Sequence, residues 1–181
     1  MRLPALEKNI LVYRALQMAL FLFNSEEIKR TLIRSVGAKI RSERRKDLKD
    51  GKLLKSIFNR LMREELLTDS ESKELQGLVE HRNQIAHQIH QLTGDIQPTG
   101  RRDDLRHFLK GTYDYGALTR VKKWHAVLWR RMHHHYIFDL SLDPLLFDAA
   151  EKAYEKELKS LKKRIDRQIA ERKRMIANRC S

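Results

Sequence analysis

Glu80-His81-Arg82-Asn83-Gln84-Ile85-Ala86-His87 is the stretch of this sequence best equipped for chemistry. Imidazole, with an ordinary pKa of about 6.5, can both take and give a proton near neutrality. A guanidinium offers a planar fork that fits two phosphate oxygens, and an amide can orient either group. Together these are the parts needed to handle a phosphodiester. In a helix turning about 100° per residue, Asn83, His87 and His90 share one side, with Glu80 beside them. Arg82 lies roughly 140° from His87 by the same geometry, within an apolar stripe of Leu75, Leu78, Ile85, Ile89 and Leu92. An arginine on an apolar stripe is costly unless a partner meets it.

The elements that must carry these residues are helical. Leu3, Leu6, Ile10, Tyr13, Leu20 and Phe23 recur at three- and four-residue steps, which predicts a long first helix. Asn24-Ser25-Glu26-Glu27 reads as the capped start of a second helix, with Ile28, Leu32, Val36 and Ile40 on one face and basic residues elsewhere. A third helix follows Asp50-Gly51, carried by Leu53, Leu54, Ile57, Phe58 and Leu61 and reaching Leu67. Thr68-Asp69-Ser70-Glu71 has the form of a capping box and opens a helix from about Ser70 to Leu92, the one holding the Arg-Asn-His set. Thr93 to Gly100, with its Gly and Pro, ends it.

A short helix is expected at 103–110, and a longer one from Tyr113 to Phe138 with Leu118, Val121, Trp124, Leu128, Met132 and Tyr136 inward. Asp143-Pro144 then starts a terminal helix reaching Asn178. Its thin stripe of Leu158, Leu161, Ile165, Ile169 and Ile176 suits a partner helix. No internal repeat or alternating strand is present, and scarce turn formers, 7 Gly and 3 Pro, favour long helices. The expectation is an all-α, up-and-down helical bundle over 1–140 with an extended basic C-terminal helix over 141–181.

Lys and Arg number 38 against 24 Asp and Glu, a net charge of +14, so polyanions such as RNA are the natural partners. Cys180 is the single cysteine, which excludes a disulfide framework or a Cys-based zinc site within one chain. A reducing, cytoplasmic setting is expected. The apolar run Ile10 to Phe23 is broken by Arg14 and Gln17 and is shorter than the ~20 residues that cross a bilayer. Neither a membrane span nor a secretory leader is expected from it.

In this helical, basic setting the run Arg82-Asn83-x-x-x-His87 resembles the Arg-Asn-x-x-x-His signature of the HEPN superfamily, as does its Glu-His-Arg-Asn-Gln-Ile-Ala-His context. The resemblance covers roughly residues 5 to 140. It implies a compact helical bundle acting as a metal-independent endoribonuclease, of the kind found among toxins and anti-phage effectors. His87 would be general acid or base, Arg82 would stabilise charge on phosphate, and Asn83 would orient either, with Glu80 and His90 in support. The family's composite dimer clefts agree with the angles: Arg82 and His87 of one chain diverge, so two motif helices across a two-fold axis would combine them. Members regulated by an antitoxin often carry Tyr two residues after the histidine; Ile89 stands there and speaks against that form of control.

Arg41, Arg44, Arg45, Arg130 and Arg131 are the residues expected to meet RNA phosphates. His133-His134-His135 does not read as a metal site, because consecutive helical residues point about 100° apart, and no cofactor is expected. Trp124 and Trp129 are open to packing or to base stacking. The alternatives to a nuclease are a non-catalytic RNA-binding or scaffold module on the same basic surface, and a helical protein–protein adaptor.

Overall fold

Pro4 precedes the first helical residue of the chain, and from there the apolar repeat runs further than its polar interruption suggests. The computed structural model describes residues 4–44, 50–87, 113–136 and 143–180. They form an all-α helical bundle: α1 (Ala5–Leu32), a π-helical turn (Ile33–Gly37), α2 (Ala38–Arg44), α3 (Asp50–Arg63), α4 (Asp69–His87), α5 (Ala117–Met132) and α6 (Asp143–Cys180). No strand occurs among the described residues, and none of their helices is long and apolar enough to cross a membrane. The expected short helix at 103–110 lies outside the described residues.

The break expected at Asn24-Ser25 is absent, because α1 continues through it to Leu32. Both residues are buried, and the Ser25 hydroxyl donates back to the Leu22 carbonyl at 2.9 Å instead of capping a new helix. A polar side chain satisfied on its own helix does not have to end it. The π-helical turn follows, where the Ser35 hydroxyl bonds the Thr31 carbonyl at 2.6 Å. A Cβ at Gly37 would meet Ile57 Cδ1 and Leu53 Cδ2 at 3.4 Å, so the glycine lets α3 approach the helix backbone closely.

The chain divides into two compact units. One holds residues 21–84 and 116–142. Its core joins Ile28, Leu32, Val36 and Ile40 to Leu53, Ile57 and Leu61 of α3, Leu75 and Leu78 of α4, and Val121, Trp124, Leu128 and Met132 of α5, all buried. The inward residues expected on α5 are buried except Leu118, which is half-buried, and α5 starts at Ala117, after Gly116.

Connections within this unit are capped as the residues dictate. Past Arg63, Glu65 takes a left-handed φ of 57°, its N–H reaches the Met62 carbonyl at 3.1 Å, and the Leu66 N–H reaches the Leu61 carbonyl at 2.9 Å. That is a Schellman closure, with Leu61 and Leu66 both buried as its apolar contact. The expected capping box then opens α4: the Glu71 carboxylate accepts from the Thr68 N–H at 2.9 Å, and the Thr68 hydroxyl accepts from the Glu71 N–H at 3.3 Å.

The other unit holds residues 1–20, 85–115 and 143–181. Here the thin stripe of α6 finds its partner helix inside the chain. Ile165 and Ile169 pack against buried Leu6 and Ile10 of α1. Around that contact, Arg172 forks onto the buried Glu7 carboxylate at 2.8 and 3.2 Å, and Asn9 donates to Gln168 at 2.9 Å. Arg14 is fully buried, its Nε donating to the Tyr115 hydroxyl at 2.7 Å and its guanidinium lying over the Tyr113 and Tyr115 rings. Residues 165–172 of α6 therefore pack on the N-terminal part of α1.

Candidate functional site

The α4 backbone carries Arg82, Asn83 and His87 in one uninterrupted helix. Leu75 and Leu78 anchor that helix in the core, which turns the Arg82-Asn83 end toward the surface. Arg82 is half-buried and Asn83 exposed. The two are joined side to side, Arg82 Nη1 donating to Asn83 Oδ1 at 3.0 Å. The other end of the fork donates to Glu26 of α1, Nη2 to Oε2 at 2.7 Å. Glu80 is exposed, and the His81 ring meets Phe21 edge-on at 5.3 Å. The side chain of His87 and all of His90 lie outside the described residues.

The demand of Arg82 for a partner is met within the chain, so the apolar stripe does not by itself call for a second copy. Sequence inspection assigns Glu26 to the start of a helix; only the continuity of α1 brings it opposite α4. The angle of roughly 140° between Arg82 and His87 along the helix is independent of that pairing.

Chemically, a guanidinium clamped between an amide oxygen and a carboxylate is held in one orientation. Its remaining N–H groups can still donate to an anion, while the carboxylate offsets part of its charge. No family model, curated protein or solved structure matches this chain.

The expected phosphate contacts separate into two kinds. Arg131 has its fork taken: Nη1 and Nη2 each reach a Glu71 oxygen at 2.9 Å, and Nη1 also reaches the Leu66 carbonyl at 3.0 Å. It clamps the α3–α4 connection. Those two bonds from Arg131, followed by the Thr68 N–H, pull the Glu71 carboxyl down to about 2. Arg130, one residue away, is exposed. Arg41 is half-buried, whereas the Arg44 side chain and Arg45 lie outside the described residues.

A second polar network backs α5. Arg60 forks onto Glu43 at 2.5 and 3.0 Å and donates to Glu64 at 2.8 Å, while Glu64 accepts from the Tyr136 hydroxyl. Burial and then that bond to Glu64 push Tyr136 up to about 12, so it stays a neutral donor. The two tryptophans part company: Trp124 is buried, and Trp129 is 58% exposed. Among the described residues no group of three or more His, Cys, Asp or Glu is placed to hold a metal ion.

Proposed function

We propose that this chain is a metal-independent endoribonuclease of the HEPN type, acting as a homodimer on RNA. The observation that carries the reading is the hydrogen-bonded pair of half-buried Arg82 and exposed Asn83, one turn ahead of His87 on the same helix. Net charge of +14 supports RNA as the partner.

In this reading a ribose 2′-hydroxyl attacks the adjacent phosphorus. The O2′–P bond forms and the P–O5′ bond breaks, leaving a 2′,3′-cyclic phosphate and a free 5′-hydroxyl. His87 of one copy takes the 2′ proton, and His87 of the second copy gives a proton to O5′. Arg82 stabilises the charge growing on the non-bridging oxygens, oriented by Asn83. The roughly 140° between Arg82 and His87 along one helix is the reason for two copies. Such an enzyme, a toxin or anti-phage effector by type, would be held in check by a regulatory protein or antitoxin, though not through a tyrosine at position 89.

One observation favours a second reading. The Arg82–Glu26 ion pair gives the arginine a structural role, as expected of a non-catalytic RNA-binding or scaffold module. Purified protein incubated with total RNA in EDTA separates the two. The nuclease reading expects cleavage that His87→Ala abolishes, and Glu26→Gln, by freeing Arg82, to lower KM for RNA. Absence of cleavage by the wild-type protein, with RNA binding retained, assigns the module.

A further inference from the structure

Trp129 sits where the fold has no use for it. The inward face of α5 is complete with Ala117, Val121, Trp124, Leu128 and Met132, and Trp129 lies about 100° round the helix from Leu128. An indole that would bury 150–250 Å² if packed (roughly, for the residue type) is instead 58% exposed. It is also held. The His133 ring stacks on it, with planes 7° apart and centroids 5.2 Å apart. His133 Nδ1 in turn lies 2.6 Å from the Arg130 carbonyl oxygen, which fixes the imidazole. A flat, preorganised aromatic pair thus faces solvent.

Its surroundings are cationic. No Asp or Glu occurs between Asp114 and Asp139, and exposed Lys123 and Arg130 belong to that stretch. Acidic Glu71, which packs against this helix from α4, is matched by Arg131, and among the described residues no acidic side chain pairs with Arg130.

We infer that this outer face of α5 docks single-stranded RNA, with an unpaired base stacking on exposed Trp129 and adjacent phosphates meeting Arg130 and Lys123. Unpaired bases present the π-faces that such a stack accepts, and their phosphates supply the matching charge. A lipid surface fits less well, since an interfacial helix needs a broad exposed apolar face and that of α5 is used in the core. The stacking and charge arguments stand without the nuclease reading; the choice of RNA over DNA rests on it.

Fluorescence anisotropy of labelled oligo(A), an abasic ribo-oligomer of the same length and oligo(dA) tests this, with full-length protein carrying His87→Ala so that no substrate is cut. Trp129→Ala should weaken oligo(A) binding by roughly 5- to 150-fold, the range of one lost base stack, with little change for the abasic oligomer. Trp129→Phe should retain most of the affinity. Arg130→Ala should weaken both and reduce the salt slope by about one. Unchanged oligo(A) binding in Trp129→Ala overturns the proposal, as does an equal loss on the abasic oligomer. Equal affinity for oligo(dA) overturns the commitment to RNA. Trp129-dependent binding to anionic vesicles or poly-glutamate, without oligo(A) binding, gives the face to a lipid or an acidic protein. If the wild-type protein cuts no RNA while Trp129-dependent oligo(A) binding persists, the nuclease reading fails and this one stands.

Discussion

Glu71 shows how one carboxylate can serve two elements. It closes the capping box at Thr68 and receives the Arg131 fork, so α4 begins and α5 docks on the same side chain. Its folded pKa of about 2 lies below the ordinary carboxylate value of 4.5. A depressed carboxylate stabilises the fold above its unfolded pKa, and that contribution drains as pH falls through the folded one. The loss attributable to Glu71 therefore spans about pH 4.5 to 2. Glu71→Gln keeps an acceptor for the Thr68 N–H but drops the charge. It should cost about 1 kcal/mol near neutral pH, read from urea unfolding, and the gap to wild type should close toward pH 2. Arg82 makes the complementary point, for a residue selected from sequence by its chemistry turns out to be oriented by Glu26, which no spacing rule could single out.

At the scale of elements, a helix start and a helix face are legible in sequence where neighbouring residues alone set them. The capping box at Thr68 and the inward register of α5 both follow from neighbours in sequence. The Asn24-Ser25 signal misled because a helix-capping residue and a buried helix residue have the same composition; burial decides between them. Nor does composition mark the end of α3, where a left-handed residue is needed and Glu65 supplies it at a steric cost that glycine would not bear. Glu65→Gly should accordingly raise stability by about 0.5–1 kcal/mol, seen as a higher urea midpoint with unchanged slope. A decrease would mean that the glutamate side chain contributes contacts outweighing its backbone strain.

At the scale of the whole molecule, the N-terminal part of the first helix shares a unit with the last helix, and an ion pair joins them. Glu7 is buried, at 7% side-chain exposure, and Arg172 is its partner at 22%. Removing only the arginine strands a desolvated carboxylate. Arg172→Ala should therefore cost about 2–3 kcal/mol, discounted for the partial exposure of the pair. The double change Glu7→Gln with Arg172→Met should cost clearly less, and equal losses in denaturant unfolding would refute the buried-charge account. Truncation of α6 would likewise expose Leu6 and Ile10, so this helix belongs to the fold before it belongs to any partner.

Sequence alone determined the helical class, the α3 face, the basic charge and the Arg82-Asn83-His87 spacing. Each depends on periodicity or composition, which neighbouring residues carry among themselves. Tertiary structure alone decided that α1 runs through Asn24, that Glu26 meets Arg82, that Arg131 is tied to Glu71 while Arg130 is not, and that α6 lies on α1. It also separated the two tryptophans, burying one and leaving the other on a cationic face. Pairings between helices depend on how whole faces pack, and a side chain's partner across such a contact has no fixed offset along the chain.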